Sequence, residues 1–222
     1  MAKVKNEVVC VIPARGGSRG VPLKNLQEVG GRSLVRRSIE VCAAASSECQ
    51  IYVSTDHAEI YEESLRHGAK PVWRPQDISG HRATSESAVQ HLLSILSDSV
   101  AINSSIVLLV QATSPFALPS DVDRAIDALR TDMADSAFTA LESHSFSWEE
   151  SEDGTLVPIN HNSCVRLPRQ SLKKAWVETG SIYATRVSMF IKSHSRFNGR
   201  TVPIPVSRER ALEIDSWDDL EL

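Results

Sequence analysis

The chain has 222 residues, enough for one α/β domain or for one domain with a modest insertion. Its 24 Lys and Arg against 28 Asp and Glu give a formal charge of −4, without the basic excess of a nucleic-acid binder. An apolar share of 41% is too high for a disordered chain, and no apolar run approaches the roughly 18–20 residues that span a bilayer.

The run Val8–Pro13 is too short for a signal segment and flows into what reads as a core strand. Continuous apolar residues over Glu7–Pro13, bounded by a Gly-rich turn, predict a strand buried on both faces. Leu34, Val35, Ile39 and Cys42 fall close to helical spacing and predict a helix over Ser33–Ala45. A short strand is expected over Gln50–Ser54. A helix over His57–His67 follows, with Asp56 and Glu59 as a capping-box start. Ala88, Leu92 and Ile95 lie at i, i+4 and i+7 and predict a helix over Ser85–Ser97. Ile106–Gln111 reads as a second buried strand, and Ser120 as the cap of a helix with the stripe Val122, Ala125, Ile126 and Leu129. Strands alternating with helices imply a mostly parallel sheet covered on both faces.

The pattern breaks near Phe138. From Glu142 to Lys174 the chain is polar, spotted with aromatics and poor in periodicity, with a hairpin tip over Glu149–Gly154. An excursion from the main sheet is expected there, as an oligomerisation arm or a surface hairpin. Val177–Thr185 returns as a strand, and a short helix signal closes the chain at Ser216–Asp219. Cys10, Cys42, Cys49 and Cys164 show no C-x-x-C spacing and read as buried free thiols of a cytoplasmic protein. His81, His91, His144 and His161 show no zinc-ligand spacing either.

The stretch Ile12-Pro13-Ala14-Arg15-Gly16-Gly17-Ser18-Arg19-Gly20-Val21-Pro22-Leu23-Lys24-Asn25 follows the first strand directly. Its glycines allow close backbone approach and inward-facing N–H groups, and Arg15, Arg19 and Lys24 add positive charge. Such a loop at a strand's carboxyl end suits a polyphosphate. It matches neither G-x-G-x-x-G nor a P-loop, because Ser18 interrupts the first and no Gly-Lys-Ser/Thr completes the second. Glu40 is a poor candidate for the ribose-binding acid of a dinucleotide site, which leaves an oxidoreductase as a weak third reading.

This loop resembles the signature of the N-acylneuraminate cytidylyltransferases, and the resemblance runs along nearly the whole chain. It is carried by Ser54-Thr55-Asp56, Arg74-Pro75, Ala83-Thr84-Ser85 and Leu109-Val110-Gln111-Ala112-Thr113-Ser114-Pro115. Phe146-Ser147-Trp148, Pro158-Ile159-Asn160, Arg169-Gln170 and Thr179-Gly180-Ser181-Ile182-Tyr183 extend it. The resemblance implies a three-layer, Rossmann-like nucleotide-diphospho-sugar transferase fold, one domain over residues 1–222 with a dimerisation arm at 142–174. It implies transfer of CMP from CTP to an acidic 2-keto sugar such as a sialic or related nonulosonic acid, by a homodimer using Mg²⁺, with no nucleic acid or membrane as partner.

The roles that follow by resemblance are Arg15, Gly16, Gly17, Ser18 and Lys24 on the triphosphate, Asn25 on the ribose, and Arg74 with the Ala83 backbone on cytosine. Ser85, Gln111, Arg166, Arg169 and Gln170 fall on the sugar side. Arg15, Lys24, Gln111 and Arg169 are the residues expected to carry the transfer. Asp215 and Glu213 align with the family's metal-binding D-x-D, and alternate positions of an extended segment put both carboxylates on one face. Asp215 is also a candidate N-cap of the last helix, and Arg74, on sequence alone, a candidate surface ion-pair residue. Pro168, Thr179, Ala117 and Glu213 depart from the family pattern, all but Glu213 on or near the sugar side. The alternatives are a keto-deoxy-octonate-type cytidylyltransferase and a non-catalytic CTP-binding regulatory paralogue.

Overall fold

The structure is a computed structural model describing residues 7–18, 20–97, 105–165, 168, 171 and 173–222. The chain opens with β1 (Val8–Pro13), a small ribbon of β2 (Glu28–Val29) and β3 (Arg32–Ser33), α1 (Leu34–Ala43), β4 (Cys49–Thr55), α2 (Ala58–Arg66) and β5 (Lys70–Trp73). It continues through α3 (Ser85–Ile95), β6 (Ile106–Val110), α4 (Pro119–Arg130), β7 (Ser136–Ser143) and the hairpin strands β8 (Trp148–Glu150) and β9 (Leu156–Pro158). It ends with β10 (Ala175–Arg186), α5 (Val187–Ser193), β11 (Thr201–Pro205) and α6 (Trp217–Glu221).

Among the described residues, seven strands form one sheet in the order β11-β7-β10-β6-β1-β4-β5. β1 lies parallel between β4 and β6, and β10 alone runs against its neighbours β6 and β7. The strands carry side chains alternately to two apolar layers. Val8, Cys10 and Ile12 pack with Val35 and Ile39 of α1, Ile60 of α2 and Val122 and Ile126 of α4. Val9 and Val11 pack with Val89, Leu92 and Leu93 of α3 and Phe190 of α5. Burial on both faces explains why β1 and β6 are apolar throughout. The mostly parallel three-layer architecture is the one expected.

Both sheet edges carry prolines, Pro71 in β5 and Pro203 and Pro205 in β11. Proline removes a ladder donor and is tolerated where a strand has one open side. The same prolines hide these strands in the sequence, and neither was anticipated.

Three expected caps are corrected. α2 begins after His57, and the Asp56 carboxylate turns away to accept from the Gly16 N–H at 2.8 Å. α4 begins at Pro119, with the Asp121 carboxylate accepting from the Leu118 N–H at 3.0 Å, so Ser120 is inside the helix. α6 is capped by Ser216, which accepts from the Asp219 N–H at 3.3 Å, so the Asp215 carboxylate is not spent on a cap. The cysteine expectation holds in part: Cys10 and Cys42 are buried with their sulfurs 3.3 Å apart, Cys49 is half-buried and Cys164 is exposed.

The excursion is a hairpin of its own, with β8 paired antiparallel to β9. Asn160 fastens its base, donating from Nδ2 to the Ser145 carbonyl at 2.8 Å and accepting from the Ser147 N–H at 2.9 Å. Phe146 and Trp148 stand edge-on to His161, with ring centroids 4.9 and 5.0 Å away. Trp148, Leu156, Val157 and Ile159 are exposed. Among the described residues, no helix is long and apolar enough to cross a membrane.

Candidate active site

The carboxyl ends of β1, β4 and β6 point to one edge of the sheet, where open α/β sheets build their ligand sites. A cavity of about 350 Å³ lies there. The sequence-predicted residues Arg15, Ser18, Lys24, Asn25, Arg74, Ala83, Ser85, Gln111, Glu213 and Asp215 all line it. They arrive from separate segments: the loop after β1, the end of β5, the start of α3, the end of β6 and the extended segment before α6. Arg166, Arg169 and Gln170 lie outside the described residues, as does Arg19.

The loop after β1 is fastened at several points. Arg15 Nη1 donates to the Gly80 carbonyl at 2.7 Å, and the buried Asn25 donates from Nδ2 to the Arg15 carbonyl at 2.8 Å. The Ser18 N–H donates to the Gly16 carbonyl at 3.1 Å. Together with the Gly16–Asp56 bond, this commits the N–H groups of Gly16 and Ser18 within the protein. The expectation of inward-facing N–H groups is corrected at these two positions. Gly20 allows the loop to pass against the backbone of Asp215, where any Cβ would overlap the Asp215 carbonyl oxygen.

Arg74 is 3% exposed, so it is no surface ion-pair residue. Its Nε donates to Ser54 Oγ at 3.0 Å and its Nη2 to the Ser54 carbonyl at 2.9 Å. Burial lowers its pKa to about 10, against the opposing pull of the Asp56 carboxylate, and it stays charged at neutral pH.

On the other side, Gln111 donates from Nε2 to Ser85 Oγ at 3.2 Å. Ser85 opens α3, whose N-cap Thr84 accepts from the Ser87 N–H at 3.2 Å. Lys24 Nζ meets Asp215 Oδ1 at 2.7 Å, with the lysine side chain largely buried and the aspartate exposed. Thr113 Oγ1 donates to Glu213 Oε1 at 3.0 Å, and the Ile214 N–H donates to the Thr113 carbonyl at 2.8 Å. Burial, with the charges of Asp215 and Asp219, raises the Glu213 pKa against the opposing Thr113 bond and Lys24 charge.

The departures from pattern separate by position. Gly180 has φ +67°, and a Cβ there would come within 2.5 Å of the Glu213 carboxylate, so the longer acid rests against a residue without a side chain. Thr179 donates to Thr139 Oγ1 at 2.8 Å, which ties β10 to β7. Ala117 packs against the core, and the exposed Pro168 accepts from the Ser171 N–H at 2.9 Å. Glu40 on α1 binds Arg36 of the same helix and Arg32 of β3, away from the cavity lining.

Pro13, Gly20, Thr84 and Thr113 also line the cavity without having been singled out as site residues. Thr113 was legible: it lies two positions past Gln111, inside the Leu109–Pro115 motif. Gly20 and Thr84 lay inside motifs already noted.

Comparison with known proteins places the chain. Residues 9–215 match the family model described as Cytidylyltransferase, and the chain belongs to that family. It is 28% identical over 211 residues to N-acylneuraminate cytidylyltransferase A of Danio rerio, covering 94% of this chain and 48% of that one. It is 28% identical over 218 residues to the N-acylneuraminate cytidylyltransferase of Streptococcus agalactiae, covering 95% and 51%. The chain thus spans about half the length of these relatives. Against the pseudaminic acid cytidylyltransferase of Campylobacter jejuni it is 28% identical over 219 residues, covering 96% and 93%. A solved CMP:2-keto-3-deoxy-manno-octonic acid synthetase, complexed with CTP, shares its fold with a TM-score of 0.69 at 17% identity, over 97% of this chain and 96% of that one. The fold is that of the nucleotide-diphospho-sugar transferases.

Proposed function

We propose that this chain transfers CMP from CTP to the anomeric hydroxyl of a nine-carbon 2-keto acid sugar, releasing pyrophosphate. One observation carries the reading: phosphate-type cations, buried polar groups and two carboxylates face one cavity of about 350 Å³ at the carboxyl edge of the sheet. The membership in the cytidylyltransferase family and the names of the relatives support it.

In this reading Arg15, Ser18 and Lys24 hold the triphosphate, beside the loop's Gly16 and Gly17. Asn25 faces the ribose, while Arg74 and the Ala83 backbone take the cytosine edge. Ser85 and Gln111 orient the acceptor, and Arg166, Arg169 and Gln170 meet its carboxylate. Attack on the α-phosphorus needs two anions held in line, so positioning and charge neutralisation are what these groups supply.

Mg²⁺ is read at Glu213 and Asp215, which bring two hard oxygen ligands to the cavity; among the described residues no group of three His, Cys, Asp or Glu gathers, so the ion's other ligands would have to come from elsewhere. Two carboxylates completed by phosphate oxygens and water suit this ion, which would neutralise charge on the phosphates.

Calorimetry tests the base assignment. CTP is expected to bind at least tenfold more tightly than UTP or ATP in the presence of Mg²⁺; equal binding of all three would sink it. The arm at 142–174 is read as the dimer contact, because its hairpin exposes Trp148, Leu156, Val157 and Ile159. Sedimentation of a Phe146→Asp, Trp148→Asp double variant should give monomers, and an intact dimer would count against the arm.

A further inference from the structure

Beside the cavity, four side chains outside its lining form one linked set. Arg196 Nε donates to Glu86 Oε1 at 2.5 Å, across 110 positions of sequence. Both partners are mostly buried, with 18% and 21% of their side chains exposed. The Arg196 guanidinium stands over the Tyr183 ring, 4.5 Å from its centroid, and the Tyr183 hydroxyl donates to Glu178 Oε2 at 2.9 Å. Phe197 meets the same ring edge-on at 5.8 Å and is itself met edge-on by Phe138 at 5.5 Å. Burial acts to raise the Glu86 pKa, but the Arg196 hydrogen bond and charge, with hydrogen bonds from the Glu86 backbone and Thr84, together outweigh it, so the carboxyl is held below its usual range.

A desolvated ion pair is weak as a stabiliser, since the cost of drying both charges offsets their attraction. Its effect on position is more direct. Glu86 is the second residue of α3, next to Ser85, which lines the cavity. Tyr183 pairs with Leu109 on β6, and the Gln111 N–H, two residues on, donates to the Ser181 carbonyl at 2.8 Å. The two members of the Ser85–Gln111 contact therefore sit on the two elements that Arg196 joins, the first turn of α3 and the β10–β6 ladder.

We propose that Arg196 is a positioning residue for the acceptor: by binding Glu86 while it stands over the Tyr183 ring, it fixes the spacing of Ser85 and Gln111, and with it the geometry in which the sugar meets CTP. The proposal rests on the transfer reading above. Loss of such a brace is expected to misplace the acceptor without moving the nucleotide, and displacements of about an ångström cost up to about a hundredfold.

The test uses the full chain and its Arg196→Ala and Glu86→Gln variants. Amide hydrogen exchange is followed at Ser87, Val89 and Gln90, with N-acetylneuraminic acid as the acceptor probe. Expected are roughly tenfold faster exchange confined to that turn and an acceptor KM raised about tenfold. The CTP Kd should stay within twofold, and Arg196→Lys should recover most of the loss. Unchanged exchange at the three amides in both variants would overturn the proposal. A wild-type chain that releases no pyrophosphate would sink the transfer reading instead, while the exchange measurement still decides the brace.

Discussion

Replacing Lys24 with alanine is expected to reduce turnover about a hundredfold while leaving the melting temperature almost unchanged. Lys24 lies against Asp215 at 2.7 Å, at the point where the loop after β1 faces the segment before α6. The aspartate end of the pair is exposed, so water screens it and the ion pair adds little to folding. In the transfer reading the same ammonium faces a triphosphate whose negative charge grows on the leaving pyrophosphate. Removing one preorganised cation from such a site costs about 3 kcal/mol of transition-state stabilisation. Asp215→Ala is expected to lose at least tenfold, by leaving Lys24 unopposed and, in the same reading, removing one of the two carboxylates proposed for the metal. Steady-state kinetics alongside thermal melts checks both. Loss of activity matched by a large fall in melting temperature would mean that the pair is structural.

The Arg74→Ala variant is expected to fail in both folding and nucleotide binding. Arg74 is 3% exposed and grips Ser54, itself 1% exposed, through both side-chain and backbone oxygens. Truncation leaves a cavity and an unpaired buried hydroxyl, a cost of about 2–4 kcal/mol. For a chain of this size that lowers the melting temperature by roughly 5–15 °C. CTP affinity should fall at least tenfold beyond what unfolding explains, because the cavity loses the guanidinium proposed to face the base. Arg74→Lys keeps the charge but not the planar fork, so it should recover stability better than affinity. If alanine lowers the melting temperature but leaves the CTP Kd unchanged, Arg74 is a structural residue and the cytosine assignment moves elsewhere.

The central layers of this fold were legible because burial on both faces writes itself as unbroken apolar runs, in β1 and β6, and as helical stripes, in α1, α3 and α4. The edge strands were not. β5 and β11 are short, contain prolines, and are strands only because a neighbour supplies hydrogen bonds on one side. Capping failed where a polar side chain had a better use: Asp56 holds the Gly16 N–H instead of capping α2. The site was largely legible because its residues sit in compact motifs at strand ends. What could not be read was which groups were already committed to one another, such as Arg74 to Ser54, Lys24 to Asp215 and Glu213 to Thr113. Those pairings join segments up to 191 positions apart and exist only in the folded chain.

The most direct test is an acceptor screen with CTP and Mg²⁺, read as pyrophosphate released and as the mass of the sugar product. Turnover with a nonulosonic acid, giving its CMP conjugate and one pyrophosphate per sugar consumed, is the result predicted here. Tight CTP binding with no pyrophosphate for any 2-keto acid sugar would contradict it.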